Sequence, residues 1–360
     1  MTSLPVELGI VEGYYGRPWS WPERTAVATR LATHGYRTFL YAPKAATALR
    51  RGWREPMTPA TLAPIAEFAA HCRAVGMAFG VGLSPHGFDA APGSDDWPRL
   101  AAALAAFDAE VAPEALALLF DDVPGDDPTL ADRQADVVAF AASRTRAARL
   151  FVCPSYYSDD PVLDRVFGAR PPGYLERLCA RLDPAVGVFW TGEEVCSREI
   201  GAAHLHDVAA RLGRRPVLWD NYPVNDGQRM SQYLHLRGAT GRPASNAPLL
   251  AGHFVNPALQ PVLGCIPALT LAERYRQGEE RYAYGAAYRR ACRAVLGDGP
   301  LADALAADLV WLQDTGLDRL GDLEATLRAR YAPFDHPAAR EILAWLDGAW
   351  RITDEIVRTQ

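Results

Sequence analysis

Short apolar runs alternate with longer amphipathic stretches along most of the chain. The runs at 8–11, 38–42, 78–83, 116–120, 150–153, 186–190, 217–219 and 249–255 predict eight β-strands. Between them apolar positions recur three and four apart, as over 58–75, 98–111, 129–148 and 197–212, which is the spacing of one helix face. Repeated β-then-α units imply a parallel sheet with helices outside it. Eight units match a (β/α)8 barrel, whereas an open doubly wound sheet ordinarily stops at about five or six strands. From about 277 strands vanish, and 282–296, 301–313, 317–331 and 337–358 read as four amphipathic helices separated by Gly- and Pro-containing punctuation. The pattern therefore predicts an α/β chain, with a (β/α)8 TIM barrel over 1–276 and a C-terminal α-helical region over 277–360.

In such a barrel the active site is built at the carboxyl ends of the strands, so polar residues just after each run are the ones to collect. They include Glu12, Gly13, Tyr14 and Tyr15 after the first run, Lys44 after the second, and Asp121-Asp122 after the fourth. Tyr156-Tyr157 follow the fifth run and Thr191 the sixth; Asp220, Asn221, Asn225 and Asp226 follow the seventh, and Asn256 the eighth. Two adjacent carboxylates at the rim of a pocket repel each other, which raises the pKa of one and lets it donate a proton while the other stays ionised. A helix cap or a Mg²⁺ site explains an Asp-Asp pair equally well at this level. The aromatic set Tyr14, Tyr15, Trp19, Tyr157, Trp190, Trp219 and Tyr222, interleaved with Asn, Asp and Lys, suits a polar ring with apolar faces, such as a sugar. Singly, Trp19 and Trp190 read as core and Trp219 as a pocket wall. His204 and His206 are two apart in a helical pattern and point different ways, which argues against a metal pair.

Composition narrows the partners. The 360 residues carry 37 basic and 43 acidic side chains, a net charge of −6, with no basic run, so neither nucleic acid nor a membrane surface is an expected partner. The N-terminus lacks the basic and apolar regions of a signal peptide, and a cytoplasmic protein is expected. Six scattered cysteines form no CxxC pair and read as reduced small hydrophobes, with no metal site among them. Lys44 is the one lysine, so arginine was accepted at every other basic position. A place that needs a compact ammonium and a structural salt bridge are the two readings of that exception.

Taken together, several segments resemble glycoside hydrolase family 84, the β-N-acetylglucosaminidases that include protein O-GlcNAcases and bacterial hexosaminidases once called hyaluronidases. They are Gly9-Ile10-Val11-Glu12-Gly13-Tyr14-Tyr15-Gly16-Arg17-Pro18-Trp19, Tyr41-Ala42-Pro43-Lys44, Trp53-Arg54-Glu55, Leu119-Phe120-Asp121-Asp122, Trp190-Thr191-Gly192 and Trp219-Asp220-Asn221. The resemblance implies retaining exo-hydrolysis of terminal β-linked GlcNAc, in which the substrate's own 2-acetamido oxygen attacks the anomeric carbon and forms an oxazoline. By position in the motif, Asp121 would orient the acetamido N–H and Asp122 would act as acid, then base. Tyr157 would assist the acetamido group and Trp219 would wall its pocket. Gly13 through its carbonyl, Lys44, Asn221, Asp226 and Asn256 would bind sugar hydroxyls.

No metal or organic cofactor is implied, and the expected partner is a β-GlcNAc-bearing glycoconjugate. The C-terminal helices are a candidate homodimer interface. Ala45 and Ala46 stand where the family commonly has acidic residues, and Ser84-Pro85-His86-Gly87 departs from Ser-Pro-Gly; both bear on the pocket rim. Two rival readings are a non-catalytic GlcNAc-glycan-binding barrel and a retaining glycosidase with its own carboxylate nucleophile.

Overall fold

In the computed structural model, which describes residues 4–121, 125 and 127–360, eight parallel strands pair in chain order and close on themselves. They are β1 (Leu8–Glu12), β2 (Tyr36–Tyr41), β3 (Ala78–Leu83), β4 (Ala115–Leu119), β5 (Arg149–Cys153), β6 (Gly187–Trp190), β7 (Val217–Asp220) and β8 (Gly252–Val255). Closure comes from β1 pairing with β8, Gly9 lying opposite Phe254. The helices of the barrel are α1 (Trp21–Ala32), α2 (Pro59–Ala74), α3 (Asp96–Glu110), α4 (Leu130–Ala142), α5 (Pro161–Phe167), α6 (Tyr174–Arg181), α7 (Ala202–Leu212) and α8 (Cys265–Gln277). After these come α9 (Tyr284–Leu296), α10 (Pro300–Asp314), α11 (Leu323–Tyr331), α12 (Pro337–Leu346) and α13 (Asp354–Thr359). The expected (β/α)8 barrel with a C-terminal helical region is the architecture observed.

Strand periodicity sorts the core into two layers. Val11, Leu40, Ala117, Leu119, Phe151, Phe189, Trp219 and Phe254 fill the barrel interior, while their neighbours Ile10, Phe39, Leu116, Leu118, Val152, Val188 and Trp190 pack outward against the helices. Trp190 and Trp219 both sit near strand ends, yet alternation sends one to the outer core and the other into the barrel.

The helix ends differ from the pattern where tertiary contacts intervene. Asp108 accepts the Arg146 amide at 2.8 Å and the Thr145 hydroxyl at 3.2 Å, turning the chain toward β5 after α4 has ended. The segment 197–201 is loop, because Arg242 takes the carbonyls of Ser197 and Arg198 and the Ile200 amide donates to Gly241. A 3-10 turn, Ala244–Leu249, precedes the short β8. The expected helix over 317–331 is broken at Gly321 (φ +52°), and that over 337–358 at Gly348 (φ +74°). Both glycines lie in the left-handed region that favours this residue. Among the described residues no helix is long and apolar enough to cross a membrane.

Candidate active site

A cavity of about 300 Å³ opens at the carboxyl ends of the strands. Gly13, Lys44, Asp121, Tyr157, Trp219, Asn221, Asp226 and Asn256 all line it. The ninth candidate, Asp122, lies outside the described residues.

β4 delivers Asp121 to the pocket, and the residue before it is held on both sides. The Phe120 amide donates to Cys153 O at 2.9 Å, and the Phe120 carbonyl accepts from Ser155 Oγ at 2.8 Å. Gln134 donates to the same Ser155 oxygen, so a buried network underlies the β4 and β5 ends. Asp121 forms a buried ion pair with Lys44, whose Nζ donates to Oδ2, while Oδ1 has no hydrogen-bond partner among the described residues. Of the two readings of the single lysine, the salt bridge is observed, and its partner is a carboxylate that lines the cavity. Lys44 Nζ also lies 5.4 Å from the centre of the Tyr15 ring.

An amide relay joins the ends of four strands. Asn221 Oδ1 accepts from Trp219 Nε1 at 3.1 Å and from Asn256 Nδ2 at 2.9 Å, and Asn221 Nδ2 donates to Val195 O at 2.8 Å. Asn256 Oδ1 accepts the Gly13 amide at 3.3 Å, and Asp226 Oδ2 accepts the Tyr15 amide at 2.9 Å. Tyr157 is fixed by its carbonyl, which accepts the Thr191 amide at 2.9 Å. Trp219 rests edge-on against Phe189, their ring centres 5.2 Å apart. A Cβ on Gly13 would meet Trp219 Cζ2 at 2.4 Å, so only glycine admits the indole at this place.

Two buried ion pairs brace the strand ends from beneath. Arg242 grips Asp220 with Nε at 2.8 Å and Nη2 at 2.6 Å, and His253 Nε2 lies 2.9 Å from the same carboxylate. Burial pushes the Asp220 carboxyl up, but Arg242 and His253 outweigh it and hold the group well below the usual carboxylate range. With Nε2 donating to Asp220, His253 Nδ1 accepts from the Tyr275 hydroxyl at 2.9 Å. Glu12 is the counterpart on β1, bound by Arg24 at 2.8 Å through both Nε and Nη2.

Several expected residues lie elsewhere. Tyr14 is buried, bonded to Glu12 and to the Trp19 amide, and Trp19 and Trp190 are core. Tyr222 stacks on His235 and donates to Arg237 O, away from the cavity. The anticipated aromatic ring thus reduces to Tyr15, Tyr157 and Trp219. Asn225 is buried and holds the β7 loop through Tyr233, Gln260 and Leu259. His204 Nε2 accepts the indole N–H of Trp190 at 2.9 Å. Five cysteines are buried as expected, but Cys196 is exposed and lines the cavity. Trp53 and Arg54 donate to His86 O, and Arg54 also clasps Asp96, so these two residues anchor the β3 loop. The pattern missed Val195, Cys196, Met230 and Val357, which line the cavity without any polar signature.

The model of the β-N-acetylglucosaminidase family matches residues 8–309. The chain belongs to this family. Two relatives are the protein O-GlcNAcases of mouse and rat, each 28% identical over an alignment of 283 positions that covers 74% of this chain. The chain covers only 30% of the length of either. Among solved structures, a mutant of Thermobaculum terrenum O-GlcNAc hydrolase superposes with a TM-score of 0.77 at 26% identity, over 94% of this chain and 80% of that one. Thus the β-N-acetylglucosaminidase match spans every strand of the barrel and every described candidate residue.

Proposed function

We propose that the protein is a retaining exo-β-N-acetylglucosaminidase that removes terminal β-linked GlcNAc from a glycoconjugate by substrate-assisted catalysis. The observation that carries this reading is the buried Asp121 carboxylate at a pocket wall, with one oxygen on Lys44 and the other without a partner among the described residues. A buried acceptor is costly unless a ligand satisfies it, and an acetamido N–H is such a donor. Held there, the acetamido group has its oxygen free to attack the anomeric carbon. The oxazolinium that forms carries positive charge, which the Asp121 carboxylate stabilises. Asp122 protonates the departing oxygen and then takes a proton from the water that opens the ring. Tyr157 and Trp219 enclose the acetamido group; Gly13, Lys44, Asn221, Asp226 and Asn256 read the hydroxyls. No step of this mechanism calls for a metal.

The test is hydrolysis of paired aryl β-glycosides of N-acetylglucosamine and of glucose. Cleavage of the N-acetyl sugar alone is expected; cleavage of both would point to an enzymic nucleophile, and cleavage of neither to a binding barrel. Asp122→Ala should nearly abolish turnover of substrates with poor leaving groups and partly spare activated ones, which need less protonation.

A further inference from the structure

The turn at Gly348 carries α13 across the carboxyl face of the barrel, where Val357 lines the cavity. The segment is fastened on two sides. Toward the β7 loop, Gln228 Nε2 donates to Asp354 Oδ1 at 2.6 Å and Ser231 Oγ accepts the Ile352 amide at 3.1 Å. Toward the β1 loop, the Gly16 amide donates to Gln360 Oε1 at 2.7 Å and Gln360 Nε2 donates to Gly16 O at 3.3 Å. Arg50 reaches both the Gln360 carbonyl and the Tyr15 hydroxyl. Gly16 has φ +103°, and a Cβ there would lie 2.5 Å from Ile352 Cδ1, so the β1 loop admits the strap because this residue is glycine.

Val357 remains 39% exposed, although it shares the cavity with Val195, Val224 and Met230. These four side chains are apolar, unlike Lys44, Asp121, Asn221, Asp226 and Asn256 in the same cavity. Resting on the reading that the polar groups hold the sugar, we propose that α13 supplies one wall of a subsite for an apolar aglycone, an alkyl or aryl group bonded to the anomeric oxygen. Continuity of the cavity identifies this occupant. A group attached to a sugar in the pocket extends toward the open side of the cavity, and an apolar one gains by covering the exposed parts of Val195, Met230 and Val357.

The test compares the hexyl and the diethylene glycol β-glycosides of N-acetylglucosamine, aglycones of similar length and opposite polarity. The ratio of their kcat/KM values is measured for the wild type, Val357→Asp and Val357→Leu; comparing variants cancels the difference in leaving groups. Val357→Asp should lower the hexyl preference about tenfold and Val357→Leu should retain it. An unchanged ratio in Val357→Asp would overturn the subsite while leaving N-acetylglucosaminidase activity standing. Failure of the wild type to cleave even an activated aryl N-acetylglucosaminide would remove the underlying activity and the subsite together.

Discussion

The ammonium of Lys44 donates to one oxygen of Asp121, and the other oxygen of that carboxylate has no partner among the described residues. A buried ion pair stripped of one member is strongly destabilised, by about 3–5 kcal/mol, because a lone charge stays behind. Lys44→Met should therefore lower the unfolding free energy by about that amount in urea titration, and Lys44→Met with Asp121→Asn should cost less than the two single changes summed. Strict additivity would show that the pair is not coupled. On the proposed mechanism, Asp121→Asn alone should lower kcat/KM on N-acetylglucosaminides by about 10² or more, since it would remove the charge that stabilises the oxazolinium.

Trp219 stands against the backbone of Gly13 in the space a Cβ would need. Gly13→Ala forces the indole aside, an overpacking worth about 1–3 kcal/mol. Because Trp219 is bonded to Asn221, which is bonded to Asn256, the displacement passes to the relay. Steady-state kinetics should show KM for N-acetylglucosaminides rising about tenfold, with the protein still folded by circular dichroism. A folded variant with wild-type KM would refute the role of the indole as a pocket wall.

Arg242 ties Asp220 to the loop that bears Val195 and Cys196. Asp220 is held below its ordinary value, so the stability it contributes is present above the unfolded pKa of about 3.9 and is lost as pH falls below it. The stability advantage of the wild type over Asp220→Asn should be constant near neutrality and shrink below about pH 4. An advantage that grows on acidification would have the wrong sign.

Glu341 on α12 accepts the amides of Val262 at 2.8 Å and Leu263 at 2.9 Å, linking the C-terminal helices to the entry of α8. Burial raises its carboxyl from 4.5 to about 8, against the pull of those two amides. The native chain keeps this proton where the unfolded chain has lost it. The resulting stability is fully present below the unfolded value and is lost as pH rises toward 8. Glu341→Gln cannot ionise, so its Tm relative to the wild type should rise between pH 5.5 and 8.5. A difference independent of pH would show that Glu341 is not protonated in the native state.

The chain order of strands and the position of the pocket were legible because both follow from local periodicity. Eight continuous apolar runs separated by helical spacing match a parallel barrel and exceed the usual open doubly wound sheet, and a barrel places its site at the strands' carboxyl ends. Asn221 and Asp226 were legible for the same reason, as polar residues in the segment that follows an apolar strand. Tyr14 and Tyr222 carry the same local signal and lie outside the cavity, since loop conformation turns them toward Glu12 and His235.

What the sequence by itself determined is the barrel, the strand ends that meet at its mouth, and the polar residues gathered there. Only the tertiary structure decided that Lys44 pairs with Asp121, which is 77 positions away in the chain. It alone decided that Arg242 braces the seventh strand, and that Val357 returns from beyond the last long helix to border the cavity. Periodicity reports the face on which a residue lies within its own element. A contact between distant segments depends on where whole elements dock, and Gly348, which ends one expected helix and redirects the chain, changes that docking without altering the apolar pattern on either side.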